Sequence, residues 1–332
     1  MSVLQGGPRS ERPHGARRRV AQGLAVLALA LAALLVLMSA RAEGPATNPS
    51  HGPIIVRPPK PAPAKVPARS SYGIVSAPAA ERVTVKLKLG LRSGLLFDVK
   101  TGQVLWARDP SRVMPMASLT KMMTALVVVA HAEPRARVPV TSDALHYTGS
   151  GIGLLPKGKQ VPLTALLYGL LLPSGNDAAI ALAEYVARTQ SRFLALMNQR
   201  AHDLGLSCTH FSTVSGIVDQ GNYSCAQDLA VIARQLLDQP LLATIVGSRS
   251  AILPFPIKGG KLYLYTNNPL LLFRYAGADG VKTGFTDAAG QCLVATARRG
   301  SRWLGVVLLH SGDTSTQAQQ LLNAGFAKLA KS

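Results

Sequence analysis

Eight prolines between positions 45 and 67 divide this chain of 332 residues and limit which part of it can fold. Proline fixes φ and donates no backbone N–H, so a stretch this rich in it reads as an extended linker. Residues 43–80 are assigned to that linker. Before it, Arg17, Arg18 and Arg19 lead into an unbroken apolar run, residues 23–38, followed by Ala40-Arg41-Ala42, a small-x-small cleavage pattern. Residues 1–42 are therefore expected to form a signal peptide or, if uncleaved, an N-terminal membrane anchor, although the run is slightly short for a bilayer span. Both readings place the protein outside the cytoplasm, in a periplasm or at the outer face of the cytoplasmic membrane. What remains, residues 81–332, is expected to be one catalytic-sized domain of roughly 250 residues.

The formal charge of +20 is uneven. Residues 1–70 carry ten Lys/Arg against two Glu, and the rest carries 26 Lys/Arg against 14 Asp/Glu. A basic surface suits an anionic partner, but no paired zinc-ligand motif or aromatic stacking segment directs it to nucleic acid. The three cysteines do not make a disulfide scaffold. Cys208 and Cys225 are free to pair in an oxidising compartment, and Cys292 lies in an apolar stretch that suits a buried, inert thiol.

Within the folding unit, residues 94–98 and 104–106 flank Lys100-Thr101-Gly102 as a β-hairpin. Helices are expected at 118–131, 163–172, 177–188 and 190–204, the last stopped by Gly205. Ser224 with Gln227 three residues on resembles a capping box that opens a helix to residue 237. Strands follow at 280–284, 291–298 and 302–310, then a helix at 316–330. Strands at both ends with helices between them predict an α+β fold, a mainly antiparallel sheet packed with helices plus a helical subdomain.

Three short motifs carry chemistry. Ser118-Leu119-Thr120-Lys121 sets a hydroxyl and an amine one helical turn apart, on one face of a helix start. A neutral amine in that position removes the proton that makes serine a weak nucleophile, and lysine loses its charge readily when desolvated. A helix N-terminus adds free N–H groups for an oxyanion. Alone, such a tetrad is expected about once by chance in a chain of this length, and a Ser N-cap followed by a surface Lys would look the same. Ser174-Gly175-Asn176 follows an apolar run that would bury its hydroxyl and amide, which must then find partners; simple capping of the next helix is the plainer alternative. Lys282-Thr283-Gly284, followed by Phe285, sits on a strand where Lys and Thr suit a carboxylate and Gly admits an extended peptide.

In this order the motifs resemble the signature of the penicillin-recognising serine enzymes. The segments around them, Pro115-Met116-Ala117-Ser118-Leu119-Thr120-Lys121-Met122-Met123, Leu172-Pro173-Ser174-Gly175-Asn176-Asp177 and Asp279-Gly280-Val281-Lys282-Thr283-Gly284-Phe285-Thr286, are similar to those of low-molecular-mass D-alanyl-D-alanine carboxypeptidases. The resemblance implies a DD-peptidase/β-lactamase-like fold and a penicillin-sensitive enzyme acting on peptidoglycan stem peptides, with β-lactams as acylating inhibitors and no metal or cofactor. It implies Ser118 as the acylated nucleophile, Lys121 as its base, Ser174 as proton relay and Asn176 as the holder of Lys121 and substrate. Lys282 and Thr283 would take a carboxylate beside Gly284, and the backbone N–H groups of Ser118 and Phe285 would form the oxyanion hole. Members often carry an arginine between the last strand and the last helix; residues 310–317 contain none. An endopeptidase acting on cross-links stays open. A β-lactamase would need a water-activating carboxylate, for which Glu184 is the one glutamate between Asp177 and Lys282. A non-catalytic peptidoglycan-binding protein is the remaining alternative.

Overall fold

The computed structural model describes residues 72–87 and 90–331. The expected signal segment and most of the expected linker lie outside these residues. The strands are β1 (Val75–Ser76), β2 (Leu91–Asp98), β3 (Gln103–Arg108), β4 (Met114–Pro115), β5 (Arg137–Pro139), β6 (Gln160–Pro162), β7 (Tyr223–Ser224), β8 (Ser250–Pro254), β9 (Lys261–Tyr265), β10 (Ala278–Thr286), β11 (Gly290–Arg299) and β12 (Arg302–Ser311). The helices are α1 (Lys121–His131), α2 (Ser142–Leu145), α3 (Leu163–Leu171), α4 (Asn176–Ala187), α5 (Gln190–Asp203), α6 (Ala226–Leu237), α7 (Pro240–Gly247), α8 (Pro269–Leu272) and α9 (Thr314–Leu329).

Six strands form one sheet in the order β1-β3-β2-β12-β11-β10. Every neighbouring pair is antiparallel except β1 with β3. The expected α+β architecture is what the chain adopts. Alternation along each strand explains how the sheet is held. Leu96, Leu293, Ala295, Leu304, Val306 and Leu308 pack with Leu321, Leu322 and Phe326 of α9. Their neighbours Leu95, Phe97, Val294, Val307 and Leu309 turn to the other face and join the larger core built around α1, α3, α4 and α6. With both faces covered, the central strands read as continuous apolar runs instead of alternating ones.

Three expectations need correction. Residues 72–80, assigned to the linker, belong to the fold. Val75–Ser76 pairs with β3, and Gly73 O accepts from Arg234 Nη1 at 2.8 Å. The capping box does not form. Cys225 is the N-cap of α6 and makes no side-chain cap bond, while Ser224 pairs with Met114 in β4 and its hydroxyl meets Thr209 Oγ1 at 2.8 Å. A partner strand thus claims the serine before the helix does. The last helix starts at Thr314 because Asp313 caps it, accepting from the N–H groups of Ser315 and Thr316. The β8–β9 ribbon, α7 and α8 were not anticipated, although Lys261-Leu262-Tyr263-Leu264-Tyr265 alternates exposed and buried as a half-covered strand should.

Arg234 shows what fastens the N-terminal edge. Its guanidinium donates to Val99 O at 2.8 Å, Gly73 O at 2.8 Å and Lys100 O at 2.9 Å. Charge-assisted bonds to buried carbonyls contribute about 1.5–3 kcal/mol each. Arg234→Met is therefore expected to cost about 3 kcal/mol and to lower the thermal midpoint by roughly 6 °C or more, as read by calorimetry.

Candidate active site

Ser118 lies in a 3-10 turn, Ala117–Thr120, and α1 begins at Lys121. The expected helix thus starts three residues later than Ser118. The tight turn still closes the distance, with Lys121 Nζ 2.9 Å from Ser118 Oγ. Ala117, just before Ser118, has φ 48°, in the left-handed region that non-glycine residues avoid. Ser118 is half-buried, whereas Lys121 is fully buried at 0% exposure. That excludes the surface-lysine reading.

Lys121 Nζ has three oxygen neighbours within 2.9 Å. Its Nζ is 2.7 Å from Asn176 Oδ1 and 2.7 Å from Ser215 O. Both are carbonyl-type oxygens that only accept, so they take N–H bonds. A neutral amine has two such hydrogens and one lone pair. Nζ donates to Ser118 Oγ as well, and a charged ammonium can serve all three oxygens; once neutral, the amine turns its lone pair to the one neighbour able to donate, the Ser118 hydroxyl. Burial, then the nearby charge of Lys282, pushes the Lys121 amine well below the ordinary lysine range, while Asp177 opposes the shift.

Asn176 is oriented by its other end, since Nδ2 donates to Thr148 O at 2.5 Å and the backbone N–H to Ser150 O at 2.7 Å. Asp177, 1% exposed, accepts from the backbone N–H groups of Ile152, Gly153 and Ala178. It pins the 148–153 segment over Asn176. Ser174 has φ 69°, and its buried Oγ has no hydrogen-bond partner among the described residues. A buried hydroxyl held in strained backbone without a partner is the signature of a group reserved for a reaction partner.

Lys282, Thr283 and Gly284 lie on β10, the edge strand of the sheet. Lys282 and Gly284 face the Ser118 side, and a Cβ on Gly284 would come within 3.1 Å of both Ser118 N and Met116 O. That closeness brings the Ser118 N–H beside the Gly284–Phe285 backbone, as an oxyanion pair requires. Thr283 and Phe285 take the alternate positions of the strand, and Phe285 is 64% exposed. Lys282 is buried, donates to Thr283 O at 2.9 Å, and desolvation lowers its amine to about 7.

Glu184 is excluded as a water activator, because it lies eight residues along α4 from Asn176, about 12 Å, and accepts from Gln190. Burial pushes the Cys292 thiol up to about 12, as an inert core thiol should be. Where the resemblance leads one to expect an arginine, β12 ends at Ser311, and His310 just before it packs against Gly290. Among the described residues, Cys208, Cys225 and Asp228 bring metal-ligating types within 4.8 Å of one another, but the two sulfurs are joined as a disulfide.

Sequence reasoning missed Ser215, which acts through its carbonyl and so leaves no side-chain signature. It also missed the Asp177 clamp and Gly216, where a Cβ would lie 1.9 Å from Ala117 O. The Ser215-Gly216 pair, a turn signal inside an otherwise polar loop, was the one available hint.

Residues 80–312 match the family model of the D-alanyl-D-alanine carboxypeptidases, peptidase family S11. The chain is 33% identical over 250 residues to the D-alanyl-D-alanine carboxypeptidase DacF of Bacillus subtilis, covering 74% of this chain and 64% of that protein. It is 37% identical over 241 residues to DacB2 of Mycobacterium tuberculosis, covering 70% and 81%. The chain thus spans less than two thirds of the DacF length. Among solved structures, the Streptomyces K15 DD-transpeptidase is similar at a TM-score of 0.69 and 32% identity, covering 74% of this chain and all of that one. On this match, over most of the folded residues and all three motifs, the chain belongs to the S11 peptidase family of D-alanyl-D-alanine carboxypeptidases.

Proposed function

We propose that this protein is a serine-type, penicillin-sensitive D-Ala-D-Ala carboxypeptidase that acts on peptidoglycan stem peptides through a Ser118 acyl-enzyme. The observation that carries the reading is the buried Lys121 Nζ, 2.9 Å from Ser118 Oγ and 2.7 Å from both Asn176 Oδ1 and Ser215 O. As Ser118 Oγ attacks the penultimate D-Ala carbonyl, Lys121 takes its proton and the oxyanion develops toward the N–H groups of Ser118 and Phe285. Collapse of the tetrahedral centre breaks the amide bond. The leaving amine of the terminal D-Ala gains a proton through Ser174, whose hydroxyl is otherwise unengaged. Lys282 and Thr283 hold the terminal carboxylate. Water then attacks the ester and restores Ser118.

The positive N-terminal segment and apolar run support export, with action in a periplasm or at the outer face of the cytoplasmic membrane, where such substrates lie. A second reading is favoured by the similarity to a DD-transpeptidase along that protein's entire length: the acyl group passes to an amine instead of water. Cleavage of D-Ala cross-links is the same chemistry with a bulkier leaving amine.

The test is incubation with a fluorescent penicillin and, separately, with monomeric and cross-linked muropeptides, followed by intact and peptide mass. A stable adduct on the Ser118 peptide and free D-Ala from the monomer are expected. Split dimers would move the assignment to an endopeptidase, and rapid penicillin turnover would move it to a β-lactamase. Neither adduct nor product would leave a peptidoglycan-binding protein.

A further inference from the structure

The loop that supplies Ser215 is irregular, and it is closed at its base by the disulfide between Cys208 and Cys225, 17 positions apart. Just inside that link the loop ends are joined by a single bridge, His210 with Tyr223, and by the Thr209–Ser224 hydroxyl contact. Asp228 of α6 accepts from the Cys208 N–H and the Thr209 hydroxyl, and Asn198 of α5 exchanges two bonds with the Phe211 backbone; four further bonds reach Lys121, Thr124, Thr120 and Thr286. Ser215 O accepts from Lys121 Nζ at 2.7 Å, and Val214 O accepts from Thr124 Oγ1, one turn further along α1, at 2.7 Å. Asn222 Nδ2 donates to Thr120 Oγ1 at 2.9 Å. Asp219 Oδ1 accepts from Thr286 Oγ1, two residues past Gly284, at 2.8 Å. One short loop thus touches the base, its helix and the substrate strand, and one covalent bond closes it.

We propose that Cys208 and Cys225 are positioning residues for Lys121: their disulfide holds the Ser215 carbonyl on the amine, and opening it disarms the base. This rests on the proposed role of Lys121. A carbonyl has no chemistry of its own here; it matters only while it stays within hydrogen-bond distance. A dithiol reductant opens the link by giving two electrons and two protons. The S–S bond breaks, two cysteine thiols form, and the reductant leaves as a cyclic disulfide. The loop ends then lose their covalent closure and are left to the His210–Tyr223 bridge and the Asp228 and Asn198 contacts. Water reaches the amine, and one of its two N–H partners is lost.

The charged groups acting on Lys121 are Lys282 from β10, which lowers its basicity, and Asp177 from α4, which raises it. Within the loop, the carboxylate of Asp219 is bonded to Thr286 and His210 Nδ1 meets Gly221 O. Solvation of the freed amine therefore dominates the outcome, and its direction is toward the ordinary lysine range.

The experiment uses the full chain in three forms: oxidised, treated with a dithiol, and as the Cys208→Ser/Cys225→Ser double variant. Penicillin acylation is followed from pH 5 to 10, and the Lys121 Cε carbon is titrated by 13C NMR. In the opened forms, acylation near pH 7 is expected to fall at least tenfold and to recover as pH rises, with the Lys121 titration displaced upward in step. The thermal midpoint reports whether either form unfolds. A loss that merely tracks the unfolded fraction, with both midpoints of pH unchanged, would overturn the proposal, and so would unaltered acylation. If the oxidised protein is not acylated at any pH, the functional reading fails, while the carbon titration still decides whether the disulfide sets Lys121.

Discussion

Lys121→Met is expected to lower the acylation rate about 10³–10⁴-fold, and Ser118→Ala to form no penicilloyl adduct at all. The reason is that the two side chains act as one unit. Without the amine, Ser118 keeps its proton; without the hydroxyl, the amine has nothing to deprotonate. Methionine fills the volume of the buried lysine without a charge, so folding should survive. Stopped-flow acylation by a fluorescent penicillin measures Lys121→Met, and intact mass reports the missing adduct in Ser118→Ala. A Lys121→Met enzyme within tenfold of wild type would remove the amine from the mechanism.

The pH dependence has two limbs of opposite sign. Lys121 acts only when neutral, so the rate falls as pH drops through its depressed value. Lys282, lowered to about 7, keeps its charge below that value and loses it above. Peptides with a free terminal carboxylate should therefore bind less well above about pH 7. A carboxylate-blocked ester should show only the acidic limb.

Gly216→Ala is expected to lower kcat about 10²-fold while most of the protein stays folded. Gly216 has φ 80°, and a Cβ there would lie 1.9 Å from Ala117 O and 2.5 Å from Ala117 C. Those are backbone atoms and cannot rotate away. The segment that must yield carries Ser118 next door, already led in by a strained Ala117. A displacement of about 1 Å at a reacting atom costs on the order of 10²-fold in rate. The alanine also bears the left-handed penalty of a non-glycine residue, about 1 kcal/mol. Steady-state kinetics with a thermal melt separate the two effects. A normal kcat would mean that Gly216 does not set the nucleophile's backbone.

The central strands and long helices were legible because apolar runs bounded by Gly, Pro and caps mark buried elements in any chain. The three motifs were legible because their chemistry lies in side chains. What escaped detection acts through the backbone or across long separations. Ser215 offers a carbonyl that every residue has. Ser224 looks like a cap until Met114, more than a hundred residues earlier, pairs with it. Val75 looks like linker until Gln103 lies beside it. Asp177 was visible beside Asn176, but nothing local says that it grips residues 152 and 153.

The pairing of β2 with β12, Leu96 opposite Val306 and Leu95 opposite Val307, sets an order of events during synthesis. The ribosome delivers the nucleophile, the amine and Ser174 long before the strand that must stand next to β2. Until β12 is available, β11 and β10 have no edge to build on, and Lys282 and Gly284 have no fixed place beside Ser118. A nascent chain, or one clipped before residue 302, holds its reactive serine in an unassembled site. The last strand added is the one that switches the first motif on.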